Sequence, residues 1–247
     1  MWQIILLSIC AILCTLCIFF YTCCSFHDGF QPLWNDTQTA LMSLVIKDIF
    51  EFPGVCLISE ALLGQERHGG QPIPWNTKVC VIVPEKDRYE FRSHIGDKDR
   101  LVMDSQHKWD LIQLKHGFPQ EYGGHRFPFV FVYYYSASST QVTWEEVRVW
   151  GRSERYTVPK DDLLPLQTAT FIGVDVKVPS HTRNILHQRF GDHWSVTAQP
   201  TKCDYRTGRW IPRAVIQADP KTLESVLEPI QVEDLSGESD GEPEPDD

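Results

Sequence analysis

The residues able to do chemistry gather in one stretch, Leu62 to Asp87, which reads LLGQERHGGQPIPWNTKVCVIVPEKD. Arg67 and His68 stand side by side, Lys78 and Cys80 follow in an apolar run, and Glu60, Glu66 and Glu85 flank them. Arginine and lysine hold anionic oxygens through charge-assisted hydrogen bonds, lysine as a point charge. Each residue also has a plain role open to it: Arg67 paired with a carboxylate, His68 capping a turn, the glutamates as solvated surface charge. Further along, Gly191-Asp192-His193 offers Asp192 either for catalysis or for fixing the turn after a helix. Cys56, Cys80 and Cys203 lack metal-site spacing, and one disulfide among them fits an oxidising compartment. G-x-S-x-G, H-E-x-x-H, P-loop and G-x-G-x-x-G patterns are absent.

These groups need elements to hold them, and the hydrophobic pattern supplies candidates. Asp36 caps a helix of about sixteen residues whose apolar face is Leu41, Leu44, Val45, Ile49 and Phe52. Pro53-Gly54 ends it, Val55 to Ile58 reads as a short strand, and Glu60 to Arg67 as a short helix. Lys78 to Val83 is a β-branched central strand, followed by a helix over Glu85 to His94. Leu101–Met103, Trp109–Leu114, Phe127–Tyr135, Gln141–Val149 and Thr170–Val178 are further strands, and Ser180–Arg189 a helix. The run Tyr133-Tyr134-Tyr135 puts alternate rings on opposite faces, one toward the core and one free for binding. The fold class expected is α/β, a mixed sheet flanked by helices.

Ile4 to Cys24, IILLSICAILCTLCIFFYTCC, carries no charge and is long enough as a helix to cross a bilayer. It ends in bulky Phe19, Phe20 and Tyr21 without an A-x-A cleavage pattern, so an uncleaved anchor is expected over residues 1–26. Residues 27–35 form a connector, 36–230 the domain and 231–247 a disordered tail of acids, Pro, Gly and Ser. The flanking Asp28 and Asp36 and the acceptor sequence Asn35-Asp36-Thr37 favour a lumenal domain, in the Golgi or endoplasmic reticulum. The net charge of −10 excludes nucleic acid as a partner, because phosphates demand a basic face.

The stretch from Leu62 resembles the LicD family, which includes the fukutin-related phosphosugar transferases and bacterial phosphocholine transferases. Its segment runs G-G-T-L-L-G-x-x-R-H-x-G-x-I-P-W-D-D-D-h-D-h. Leu62, Leu63, Gly64, Arg67, His68, Gly70, Ile73, Pro74 and Trp75 fall on matching positions. A second segment, FIGVDVKVPSHTRNILHQRFGDHW, is similar to the family's C-terminal signature through Phe171, Val178, Pro179, Leu186, Arg189, Gly191, Asp192 and Trp194, with Phe190 where Tyr is usual. The resemblance extends over Asp36 to about Pro212. It implies a nucleotidyltransferase-like fold in which acids on adjacent strands hold divalent metal against the phosphates of an activated donor. Mg²⁺ and Mn²⁺ are hard cations and prefer oxygen ligands.

The sequence departs from that pattern where the carboxylates belong. Asn76, Thr77, Lys78 and Cys80 replace the acidic run, Ser59-Glu60-Ala61 replaces the small turn before L-L-G, and Phe131 stands near the position of a third acid. The leading expectation is a degenerate relative that binds or scaffolds, in company with an active transferase or a glycoconjugate acceptor. It needs no cofactor, with Mg²⁺ or Mn²⁺ only if other acids rescue the site. A second expectation keeps activity, with Lys78 neutralising phosphate without metal and Arg67 and His68 on a loop beside it. A third, from a different class, is a membrane-tethered adaptor that works through its acidic tail.

Overall fold

The computed structural model describes residues 34–74, 76, 78–119, 126–147, 153–195, 203–204 and 209–210. The expected anchor, most of the expected connector, Trp75, Thr77 and the acidic tail lie outside the described residues. Among the described residues no helix is long and apolar enough to cross a membrane.

The first helix, α1 (Asp36–Phe50), is capped one residue earlier than the pattern suggested. Asn35 Oδ1 accepts from the Gln38 amide at 2.8 Å, and Gln38 Oε1 accepts from the Asn35 amide at 3.2 Å. This reciprocal box satisfies two otherwise orphaned donors, and Asp36 instead places its charge in the first turn, where the helix dipole favours it. The buried face also differs: Met42, Val45, Ile46 and Ile49 are fully buried, while Leu44 is 39% exposed. The face is rotated toward Met42 and Ile46, which continue the same three- and four-residue spacing.

A seven-stranded mixed sheet forms the body of the domain, in the order β1-β2-β5-β4-β3, with β6 beside β5 and β7 beside β6. Its members are β1 (Cys56–Ile58), β2 (Val79–Pro84), β3 (Leu101–Ser105), β4 (Trp109–Pro119), β5 (Arg126–Ala137), β6 (Gln141–Val147) and β7 (Ser153–Pro159). Every residue of β2 is buried, as its run of Val, Cys and Ile requires of a central strand. It pairs in parallel with β5, and the other pairings are antiparallel. The helix α2 (Ser59–Arg67) follows β1 directly, and α3 (Arg88–Gly96) follows β2 through a 3₁₀ turn at Glu85–Asp87.

Beyond β7 come the short α4 (Lys160–Leu163), a separate hairpin of β8 (Gln167–Phe171) and β9 (Val174–Val178), α5 (Thr182–Phe190), and the pair β10 (Cys203–Asp204) and β11 (Arg209–Trp210). The single strand expected over Thr170–Val178 is therefore a hairpin. Ile172 and Gly173, both at positive φ, turn the chain between its arms. Tyr133, Tyr134 and Tyr135 are all buried, so neither face of that run is free for binding. Cys56 and Cys80 are buried free thiols, which removes the one disulfide expected among Cys56, Cys80 and Cys203. Each faces an isoleucine across the ladder, Cys56 opposite Ile82 and Cys80 opposite Ile58.

Two acids are buried away from the motif segments and are satisfied there. Asp110 accepts from Arg92 at 2.9 and 2.7 Å and from the Tyr134 hydroxyl. Asp48 accepts from Arg100, whose Nε lies 2.5 Å from Oδ2. Forked arginine–carboxylate pairs of this kind fix elements in place, here α3 on β4 and α1 on the loop before β3.

Candidate functional site

The motif glycines are explained by packing. A Cβ on Gly64 would stand 2.6 Å from the Gln71 carbonyl oxygen, so α2 approaches the following loop as closely as it does because this residue has no side chain. Gly70, at φ +85°, would put a Cβ 2.8 Å from the Thr170 carbonyl oxygen, and its own carbonyl accepts from the Ile172 amide at 2.7 Å. These contacts pin the loop between α2 and β2 to the β8–β9 hairpin.

Arg67 and His68, at the end of α2, are drawn inward. Arg67 Nη1 donates to the Trp194 carbonyl oxygen at 2.9 Å, and burial brings the guanidinium down to about 10. His68 is 3% exposed. Burial, with the Arg67 charge beside it, lowers its pKa to about 4, so the ring is neutral near pH 7. Asp192 lies on the exposed turn after α5 and pairs with His187. That contact fits the turn-fixing role.

Among the described residues, the positions that depart from the family pattern lie on neighbouring strands and the approach to them. In the parallel register Cys80 of β2 stands beside Phe131 of β5, which places two of the altered positions on neighbouring strands. Asn76 shapes the approach to β2: its side chain accepts from the Lys78 amide at 2.9 Å, and its carbonyl accepts from Trp34 Nε1 at 2.7 Å. Lys78 Nζ then sits 5.3 Å from the Phe131 ring centre and 5.7 Å from that of Tyr133. The two rings are stacked on each other at 6.2 Å. An ammonium over aromatic faces is an attractive pairing.

Behind Lys78 lies a group of acids and bases that the sequence pattern did not join. Glu146 of β6 is 1% exposed and accepts from Ser59 Oγ at 2.6 Å, Trp144 Nε1 at 2.9 Å and Arg189 Nη2 at 2.7 Å. Arg189 also lies 3.7 Å from Glu60 and stacks over the Tyr156 ring at 4.3 Å. Ser59 takes a positive φ of 59°, strained for a residue with a side chain, at the place of the small turn. Glu146 had a readable signal: alternation along β6 puts Val142, Trp144 and Glu146 on one face, and a carboxylate among core residues must have partners.

The charges settle among themselves. Burial works against the Lys78 ammonium, but the neighbouring Cys80, Tyr133, Glu60 and Glu146 hold its pKa well above the usual lysine value. Burial pushes the Cys80 thiol and the Tyr133 hydroxyl up, so both stay protonated near neutral pH. Burial likewise opposes the Arg189 charge, and Glu146 and Glu60 more than offset it.

Divalent metal of the kind the resemblance implies does not fit these residues. Its ligands would be an amide, a buried neutral thiol and a phenyl ring, with a fixed ammonium where the ion's charge belongs. Among the described residues, no group of three or more His, Cys, Asp or Glu is arranged to hold a metal ion.

The architecture is a mixed sheet flanked by helices, with a helix immediately after the first strand and altered motif positions on adjacent strands β2 and β5. The family profile described as LicD/FKTN/FKRP, nucleotidyltransferase domain, matches residues 55–181. That is just over half of the chain, and the chain belongs to this family. The match runs from the residue before β1 to the residue before α5, so Arg189, Asp192 and Trp194 lie beyond it. No curated protein matches the chain.

Proposed function

We propose that this chain is a LicD-family protein anchored in a membrane of the secretory pathway, its domain in the lumen of the Golgi or endoplasmic reticulum, that no longer performs metal-dependent transfer. It works by binding, with an active transferase relative or a glycoconjugate acceptor as partner. The observation that carries the reading is the position of Lys78 Nζ over Phe131 and Tyr133, beside Cys80. Metal-assisted phosphoryl chemistry works by placing doubly charged ions against anionic oxygens. A fixed ammonium, its charge favoured against burial by Cys80, Tyr133, Glu60 and Glu146, repels such an ion and offers it no ligand.

A second reading is favoured by the same ammonium: Lys78 neutralises a phosphate directly and activity persists without metal. Calorimetry of the full-length chain in detergent separates the two, using nucleotide-activated sugars, sugar alcohols and choline, each with Mn²⁺ and with chelator. The proposal predicts no heat that depends on Mn²⁺. Metal-dependent donor binding overturns it, and donor turnover in chelator establishes the second reading in its place.

A further inference from the structure

At one end of the sheet, β4 and β5 run on past their neighbours. β2 begins at Val79, opposite Val130, and β3 begins at Leu101, opposite Leu114. One more backbone bond, from the Lys115 amide to the Arg100 carbonyl at 2.9 Å, closes the β3 side. Beyond it β4 and β5 pair with each other alone, Phe118 opposite Phe127 and Pro119 opposite Arg126. Among the described residues no other strand pairs with this arm. β4 shifts register between Gln113 and Phe118, and extra residues of that kind bend a strand. Arg126 lies four residues before Val130, so the arm projects by about 13 Å. Its described residues, 115–119 and 126–129, read KHGFP and RFPF, with Lys115 and Arg126, three phenylalanines and no acid. Lys115 and His116 are exposed, and Phe129 at the root is buried. A two-stranded arm alone in water is marginal and gains from a cover.

The chain enters the domain at this same end. Trp34, buried, donates through Nε1 to the Asn76 carbonyl oxygen at 2.7 Å, and the Asn76 side chain accepts from the Lys78 amide at 2.9 Å. β2 and β5 run parallel. Asn76 lies three residues before Val79, as Phe127 lies three before Val130, so Trp34 is fixed at the end from which the arm projects. With residues 1–26 as a membrane anchor, only the seven residues 27–33 separate the bilayer from Trp34, at most about 25 Å of extended chain. The arm therefore stands within reach of a lipid surface.

We propose that the β4–β5 arm is a second membrane contact, lying in the headgroup layer of the phospholipid bilayer that holds the anchor. This contact requires residues 1–26 to be a membrane anchor, as proposed above. Aromatic residues together with Lys and Arg suit the boundary between headgroups and acyl chains, and an arm without acids meets no repulsion there. The outer edges of the arm carry backbone groups without a strand partner. Hydrocarbon would leave them unsatisfied, so the arm lies in the hydrated layer and does not span. The anchor keeps the arm at high effective concentration near the surface, so a weak contact suffices. Two attachments fix the orientation of the domain, with the Asn76 end of the sheet toward the bilayer and the turn at 138–141 away from it.

The test uses the full-length chain in phosphatidylcholine nanodiscs, one chain per disc. Separate preparations carry a phospholipid with a photoactivatable diazirine in the headgroup or in the acyl chain, and mass spectrometry locates the adducts. The acyl-chain probe is expected to label residues 1–26. The headgroup probe is expected to label 115–119 and 126–129 about tenfold more than the exposed turn at 138–141, which lies beyond the far end of β5, about 36 Å from Arg126. Labelling of 1–26 with equal labelling at both ends of β5 overturns the arm contact alone. No labelling of 1–26 defeats the anchor, and the arm contact with it. Lys115→Glu/Arg126→Glu is expected to keep the melting temperature within about 1 °C while cutting arm labelling about fivefold, and unchanged labelling contradicts the proposal. Chain-to-chain cross-links through the arm at two chains per disc, with no lipid adduct at one, mark a second copy as the occupant and also overturn it.

Discussion

Arg67 Nη1 and the carbonyl oxygen of Trp194 lie 2.9 Å apart, so the end of α2 is bonded directly to the turn after α5. The two segments that carry the family resemblance thus meet in space. They are joined by a charge-assisted bond in a site where Arg67 is partly buried.

That bond sets the first prediction. Arg67→Met removes the donor and leaves the carbonyl without this partner, at a cost of about 1.5–3 kcal/mol. Urea denaturation of the full-length chain checks it, with a lower midpoint and unchanged slope expected.

The buried pair of Arg189 and Glu146 is the larger contributor. Arg189→Met strands the Glu146 carboxylate in the core and is expected to cost about 3–5 kcal/mol. Combining it with Glu146→Gln removes both charges, and the double variant is expected to be more stable than Arg189→Met alone. Denaturation of the four members of the cycle measures the coupling.

His68 gives a pH dependence whose sign follows from its lowered pKa. The folded protein holds the ring neutral down to about 4, whereas the unfolded chain takes up a proton near the ordinary histidine value of 6.5. Between those values the unfolded state binds more protons. The contribution is therefore complete above about 6.5 and is lost as the pH falls toward 4, on the order of 3 kcal/mol. Melting temperatures of wild type and His68→Gln, compared from pH 7.5 to 4, should show a steeper fall for wild type across that window.

Asn35 is exposed, and only its Oδ1 serves the cap of α1. A glycan is attached through Nδ2, so the cap and the modification are compatible. If the domain is lumenal, the chain from secretory cells is expected to lose mass on treatment with an N-glycosidase. Thr37→Ala is expected to abolish that loss while leaving the melting temperature within about 1 °C, since the cap is retained. An unmodified wild-type chain contradicts the lumenal assignment.

Most of the sheet was legible in the sequence because its strands are uniform. The β-branched run of β2 and the aromatic run of β5 have no competing reading. The hairpin of β8 and β9 was hidden because its apolar–polar alternation continues across Ile172-Gly173, where only the backbone shows the turn. The strand β7 was missed since its residues, SERYTVP, are mostly polar and it lies at the edge of the sheet. At the site, Lys78, Cys80 and Phe131 could be singled out by type and order alone. The contacts of Glu146 could not, because Ser59 lies 87 residues away in the chain and only the fold brings them together.

The central claim is that the Lys78, Cys80 and Phe131 positions reject a divalent ion, and Mn²⁺ titration followed by electron paramagnetic resonance tests it most directly. With the full-length chain in detergent, the signal of free Mn²⁺ is expected to rise in proportion to the metal added, with or without a nucleotide-activated donor beyond the donor's own binding. Loss of that signal with one-to-one stoichiometry, abolished by substitution at Glu60 or Glu146, would contradict the account.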